Sequence, residues 1–249
     1  MKSLSVLVSG LVLPLLIRAQ GISLGTASTF GVLGASTVTS TGDTHIIGNL
    51  GVSPGTAITG FPPGVATFIH ATDALAASAQ SDALSAYTAA ALLTTTTVLT
   101  GADLGGMTLT AGVYTFASSA GLTGTLTLNG QGNPNALFVF QMGSTLITAT
   151  SSVVLLTNGA KACNVIWQVG SSATLGTGTN FAGIILAYAS ITGNSGVTVS
   201  GSLIALHAAV TLINDQITVV DTCNAVATSP TSSGVAPDRT CTCTCTVSG

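Results

Sequence analysis

Apolar and polar positions alternate in short runs along most of the chain, and the runs are separated by Gly, Asn and Ser. In GTLTL, Leu126 and Leu128 fall on one side and Thr125 and Thr127 on the other, the two-residue period of a half-buried strand. NGQGNPN then supplies turn residues before the apolar run ALFVF. One region breaks the pattern. Residues 72–92, TDALAASAQSDALSAYTAAAL, contain no Gly or Pro and place Leu75, Ala79, Ala83, Ala86 and Ala90 on one stripe. This predicts a helix about 30 Å long, capped by Thr72 or Asp73 and stopped by the β-branched TTTT at 94–97.

The strand-like runs also repeat. ALFVFQMGSTL (136–146) matches NVIWQVGSSATL (164–175), and IILAYASIT (184–192) matches LIALHAAVT (203–211) at an offset of nineteen residues. Near-repeats of this length predict solenoid coils, each burying its inward residues against the coils above and below. Ile191 and Val210 point inward, with Ser190, Thr192, Ala209 and Thr211 outside. Open solenoid ends need capping, by the segment around Gly55–Gly64 or by the C-terminal tail.

Composition changes the picture mainly through what is missing. Of 249 residues, 47% are hydrophobic, enough for a large core, but only 4% are charged against a usual share of about 25%. Residues 1–20 combine Lys2, an apolar run from Leu4 to Ile17 and small Ala19, the pattern of a secretory signal peptide. Cleavage leaves Lys161 and Arg239 against seven aspartates, a net charge of −5. A secreted, extracellular protein with no cationic surface is expected to bind neither nucleic acid nor membrane. The solenoid domain is assigned to residues 21–224. Residues 225–249 read as a Ser/Thr/Pro/Cys-rich tail ending in CTCTCT, for which disorder or intermolecular crosslinking fits better than metal binding. Cys163 and Cys223 are the disulfide candidates within the domain.

Catalytic chemistry finds little support. No G-x-S-x-G elbow appears, and a glycosidase needs paired carboxylates, for which Asp215 and Asp221 are the candidates. DQITVVD reads more simply as an exposed strand bounded by turns. Asp43 and His45 share a strand face, but two ligands do not make a metal site. His70 pairs with Asp73 as a local cap, and His207 lies on a coil. Phe138, Phe140 and Trp167 fall on inward positions, where core packing accounts for them. No enzyme, cofactor or metal is expected.

The order of blocks resembles a known family. LGTASTFGVL (24–33), GNLGVSPGTAITGFPPG (48–64), the alanine-rich helix, LGGMTLTAGVYTF (104–116), LTLNGQGNPNALFVFQMGSTL (126–146) and ACNVIWQVGSSATLGTGTNFAGIILA (162–187) together are similar to the secreted ice-binding (antifreeze) proteins of cold-adapted fungi, bacteria and microalgae. The resemblance implies an all-β-dominated fold, an irregular right-handed β-solenoid of triangular section with the long α-helix packed alongside. It also implies a monomer that adsorbs to ice, producing thermal hysteresis and inhibiting ice recrystallisation. The implied ice-binding face passes near Thr39, Thr59, Thr123, Thr174, Ser190 and Ala209, with Thr125, Thr192 and Thr211 on the same coils. No Thr-x-Thr ladder runs through every coil in sequence order. A cell-wall or matrix adhesin for neutral polysaccharide is the competing reading, and exposed aromatic platforms would mark it.

Overall fold

The computed structural model describes residues 21–220. Every strand pairing in it is parallel, which requires that the chain return to the same edge after each circuit. The result is a β-solenoid. A seven-stranded sheet makes one face, and a thirteen-stranded sheet folds over a corner to make the other two.

Glycines turn that corner. Strands Asn180–Ala187 and Thr198–Ala205 each begin on one face and end on the next. They bend at Gly183 (φ 117°) and Gly201 (φ 145°), which are paired across the sheet.

Chain order and stacking order differ. The first coils do not start the stack: Phe30–Gly34 pairs with Thr198–Ala205, and Thr37–Thr41 pairs with Val210–Ile213, the last complete coil. Residues 55–71 then form the terminal coil, so the Gly55–Gly64 segment lies at one end of the stack, where Ala57–Thr59 is the edge strand of its sheet. From there the helix Ala74–Ala91 carries the chain back along the stack, and new coils build up from Thr97–Val98 at the far end. Six inter-strand steps of ~4.8 Å span about 29 Å, which an 18-residue helix of about 27 Å matches.

The helix starts later than the sequence suggests because Thr72 is left-handed (φ 58°), and Asp73 is the cap. Its Oδ1 accepts from the Ala76 amide at 2.8 Å, while His70 Nδ1 lies 2.6 Å from Oδ2. The buried stripe is Ala76, Ala79, Ala83, Ala86 and Ala90; Leu75 is not part of it. Leu75 lies in the first turn and is 39% exposed, and its place is taken by Ala76. Alanine on that stripe lets the helix lie close to Val139, Ile166, Ile184, Leu186 and Ile204.

Gln141 fastens the other end of the helix. Its Nε2 donates to the carbonyls of Ala90 (2.8 Å) and Leu93 (2.9 Å), satisfying groups that a helix C-terminus leaves open. Its Oε1 accepts from Thr115 Oγ1 at 2.8 Å. Gln141→Leu keeps the volume but strands these buried partners. It is expected to destabilise the fold by about 1–3 kcal/mol, measurable by denaturant titration.

The helix-side face is therefore buried on both sides, and this affects the repeat. Ile185 and Leu203 point into the solenoid, whereas Ile184, Leu186 and Ile204 point toward the helix. The register there is Ile185 opposite Leu203, an offset of eighteen. It becomes nineteen only past the next turn, at Ile191 opposite Val210. A run buried on both faces has no polar alternation to fix register, so the uniform offset of nineteen is corrected in its first half.

Inside the coils, Tyr114, Phe140, Trp167 and Phe181 form a continuous stack. Phe140 and Trp167 lie 4.1 Å apart with ring planes 10° from parallel. Phe138, Phe140 and Trp167 are core residues, as the alternation predicts.

Candidate functional site: an uncharged threonine ladder

Of the three faces, the one under the helix is closed to any large partner. The next carries mixed chemistry: Asn180, Thr198, Gln216, His45 and Val65 follow one another along it, with Ile47 and Leu155 exposed nearby. The third face is the seven-stranded sheet, and it is chemically uniform.

Its central outward column runs Gly121, Ile147, Thr174, Thr192, Thr211, Thr39, Thr59, each residue directly paired with the next. Beside it, one residue back along each strand from the next inward-pointing position, lie Thr145, Ser172, Ser190, Ala209, Thr37 and Ala57. The inward positions between the two columns are Leu146, Ala173, Ile191, Val210 and Val38, all buried. Strand alternation thus divides each short strand into a core anchor and a hydroxyl- or methyl-bearing outside. Two columns of small side chains result, ~4.8 Å apart along the stack.

Hydroxyl contacts tie neighbouring coils together. Ser172 and Ser190 Oγ atoms are 3.0 Å apart, Thr145 Oγ1 donates to Ser119 Oγ at 2.8 Å, and Thr39 Oγ1 to Thr211 Oγ1 at 3.4 Å. Such ladders, with the restricted χ1 of threonine, hold the outer surface in one arrangement before any partner arrives.

Thr39, Thr59, Thr174, Thr192 and Thr211 therefore share one column, and Ser190 and Ala209 share the adjacent one. Thr123 lies beyond Leu122 at the face's margin, its Oγ1 donating to Asp103 Oδ2 at 2.9 Å. Asp103 bridges to Gly121 and covers the open sheet edge. Burial pushes its carboxyl up, but donation from Gly105, the Thr123 amide and the Thr123 hydroxyl holds it below the ordinary aspartate value. Thr125 is a correction: it pairs with Val153 in the other sheet, on the far side of a corner at Gly124 (φ 84°). Sequence proximity put it with Thr123; the turn separates them.

Ile147, Thr37, Thr145 and Ser172 belong to the same surface and were not singled out from the sequence. The match of ALFVFQMGSTL to NVIWQVGSSATL carried a signal for Thr145 and Ser172, which it sets at equivalent positions. Ile147, 52% exposed in the central column, had none, because an isoleucine in a strand reads as core.

Where this face ends, Asp215 fills the corner. It is 1% exposed, so DQITVVD does not begin as an exposed strand; Asp221 lies outside the described residues. Asp215 Oδ1 accepts from the Val197 amide (2.9 Å) and Oδ2 from the Ile213 amide (3.0 Å). Its own amide and carbonyl engage Thr44 Oγ1 and the His45 amide, joining the last coil to the N-terminal one. Burial raises its pKa from 3.8 to about 6, against the opposing amide donors of Ile213, Val197 and Gly196.

The folded protein therefore holds this proton more tightly than the unfolded chain. The stabilisation is complete below about pH 4 and is lost as pH rises through 6. A change on the order of 3 kcal/mol follows from the separation of the two values. Urea titrations between pH 4 and 7 are expected to show this decline, and Asp215→Asn is expected to flatten it.

The remaining titratable pairs are local. Asp43 Oδ1 lies 3.1 Å from His45 Nε2 at the surface, and His207 Nδ1 lies 3.0 Å from the Tyr188 carbonyl. Among the described residues no group of three or more His, Cys, Asp or Glu is placed to hold a metal, and no helix is long and apolar enough to cross a membrane. Cys163 is disulfide-bonded; Cys223, its candidate partner, and the CTCTCT tail lie outside the described residues.

Comparison with known proteins gives consistent results. The family model described as Ice-binding-like matches residues 32–218. An ice-binding protein of Nostoc sp. is 53% identical over 224 residues, covering 89% of this chain and 81% of that protein. One from Leucosporidium sp. is 32% identical over 209 residues, covering 75% of this chain and 79% of its own. Among solved structures, the ice-binding protein of the Antarctic ascomycete Antarctomyces psychrotrophicus superimposes with a TM-score of 0.80 at 44% identity. That match covers 82% of this chain and 100% of the other.

Proposed function

Since the chain belongs to the ice-binding-like family, we propose that it is a non-enzymatic ice-binding protein and that the seven-stranded sheet is its ice-binding face. The observation that carries the assignment of the face is the unbroken column Thr174, Thr192, Thr211, Thr39 and Thr59.

Ice presents a rigid, neutral, repeating array of water. A surface gains adsorption free energy on it by being large, preordered and free of groups that hold water in a competing geometry. Charged side chains do the last, and the two columns contain none. Threonine methyls favour cage-like water around them, and the hydroxyls bond into it. Bound molecules pin the growth front, the ice between them curves, and the local freezing point falls; recrystallisation slows by the same pinning. The pattern of residues 1–20 and the disulfide at Cys163 support a secreted, extracellular protein that meets ice outside the cell.

Nanolitre osmometry on the purified chain is the direct test. Faceted crystals and a measurable hysteresis gap are expected, with retarded grain growth in a sucrose film. Disc-shaped crystals that grow freely as soon as the sample is cooled below the melting point would overturn the proposal.

A further inference from the structure

A second surface has no part in the ladder. The corner between the helix-side face and the seven-stranded sheet repeats in every coil. Ser144, Ser171 and Ala189 stack through successive backbone hydrogen bonds, as do Gly143, Gly170 and Tyr188 with the strand ends beneath them. Beside the C-terminal half of the helix this corner opens into a groove of about 520 Å³, lined by Tyr87, Ala91, Gln141, Gln168, Gly170 and Tyr188 among others. Further along the same corner lies a second groove of about 460 Å³, bounded by Pro54, Ser36 and His207.

The ridge between the two grooves is aromatic. Tyr188 stands 4.3 Å from His207 and 6.2 Å from Tyr87 by ring centroids, and it is 48% exposed. Phe30, Phe116, Phe138, Phe140, Trp167 and Phe181 lie wholly inside, and among the described residues Phe68, on the terminal coil away from this corner, is the other largely exposed aromatic side chain. No Lys, Arg, Asp or Glu lines either groove. A phosphate or carboxylate finds no Lys or Arg here, and the open backbone of the corner makes a poor seat for an acyl chain.

A neutral, hydroxylated ligand with an apolar face fits better. The Tyr188 ring offers flat contact to ring C–H groups, and its hydroxyl and the Nε2 of His207, whose Nδ1 faces the Tyr188 carbonyl, are placed to exchange hydrogen bonds with sugar hydroxyls. The linear repeat of the corner suits a linear repeating ligand. We propose that this corner binds a neutral oligosaccharide chain, with Tyr188 as the central stacking platform, independently of ice adsorption.

Ligand-observed NMR on the full chain, with cellohexaose, maltohexaose and glucose as probes, tests this. At least one hexaose is expected to bind saturably, and glucose about tenfold more weakly. Tyr188→Ala is expected to weaken hexaose binding about tenfold, with thermal hysteresis unchanged. Should Tyr188→Ala lower the melting temperature, Ala91→Trp serves as the second variant, because it fills the groove from an exposed helix position. Absence of saturable hexaose binding, or binding unmoved by both variants, would overturn the proposal. So would hexaose binding lost on Thr192→Tyr, which would place the sugar on the ladder. Hysteresis measured on the same samples reports ice adsorption separately.

Discussion

Thr192→Tyr is expected to reduce thermal hysteresis by about an order of magnitude while leaving the melting temperature of the protein within experimental error. Thr192 occupies the central column with Thr174 on one side and Thr211 on the other. A phenol there projects beyond the small side chains around it and holds both neighbouring columns away from a rigid lattice that cannot deform to meet it. The loss is therefore larger than one residue's share of contact. Stability is spared because the side chain already faces outward, while Ile191 supplies the core anchor of that strand. Thr198→Tyr is the matched control. Thr198 lies on the same coil but across the corner, paired with Asn180 and Gln216 on the mixed face. If the ladder is the adsorbing surface, the control keeps near wild-type hysteresis; equal loss in both variants would mean that the face has been misassigned.

Gly201→Ala is expected to cost about 3 kcal/mol or more. Two independent causes act at this position. The residue sits at φ 145°, where an L side chain is strained, and its added Cβ would lie 1.9 Å from the Gly183 carbonyl oxygen. The obstructing atom is backbone of the neighbouring coil, paired in register, so no side-chain rotation relieves the clash. Relief requires opening the corner where the sheet passes from the helix-side face to the next. Gly196→Ala separates the two causes: at φ 76° it has nothing within 4 Å of the added carbon. It is expected to cost about 1 kcal/mol, the backbone contribution alone. Equilibrium unfolding of the two variants measures the difference, and similar values for both would refute the close-packed corner.

Much of the architecture is legible in the sequence because it rests on local rules. Alternation identified Leu126, Leu128, Ile191 and Val210 as anchors, and all four are buried. The Gly- and Pro-free alanine run marked the helix to within two residues at its start and one at its end. Its stripe failed at Leu75, because rotational phase in the first turn depends on where the cap sits, and a left-handed Thr72 delays it. The burial of Asp215 was missed for a related reason. Gln216–Thr218 does alternate like an exposed strand, but the carboxyl before it turns into a corner whose amide donors come from Ile213 and Val197, and the latter lies in another coil.

By itself, the sequence determined the kind of surface available: hydroxylated, methylated and almost without charge. It also determined the family, through the order of long blocks. The tertiary structure decided which residues share a face. Thr39 and Thr59 come near the start of the chain, yet they extend a column begun by Thr174, Thr192 and Thr211, because the first coils stack on the last and the helix spans the return. Thr125 follows Thr123 by two positions, but a left-handed glycine between them leaves Thr123 at the margin of one face and sends Thr125 into the sheet of the next. Local pattern fixes whether a side chain points in or out. Which outward side chains become neighbours depends on stacking order and corner geometry, and those are set by contacts between residues far apart in the chain.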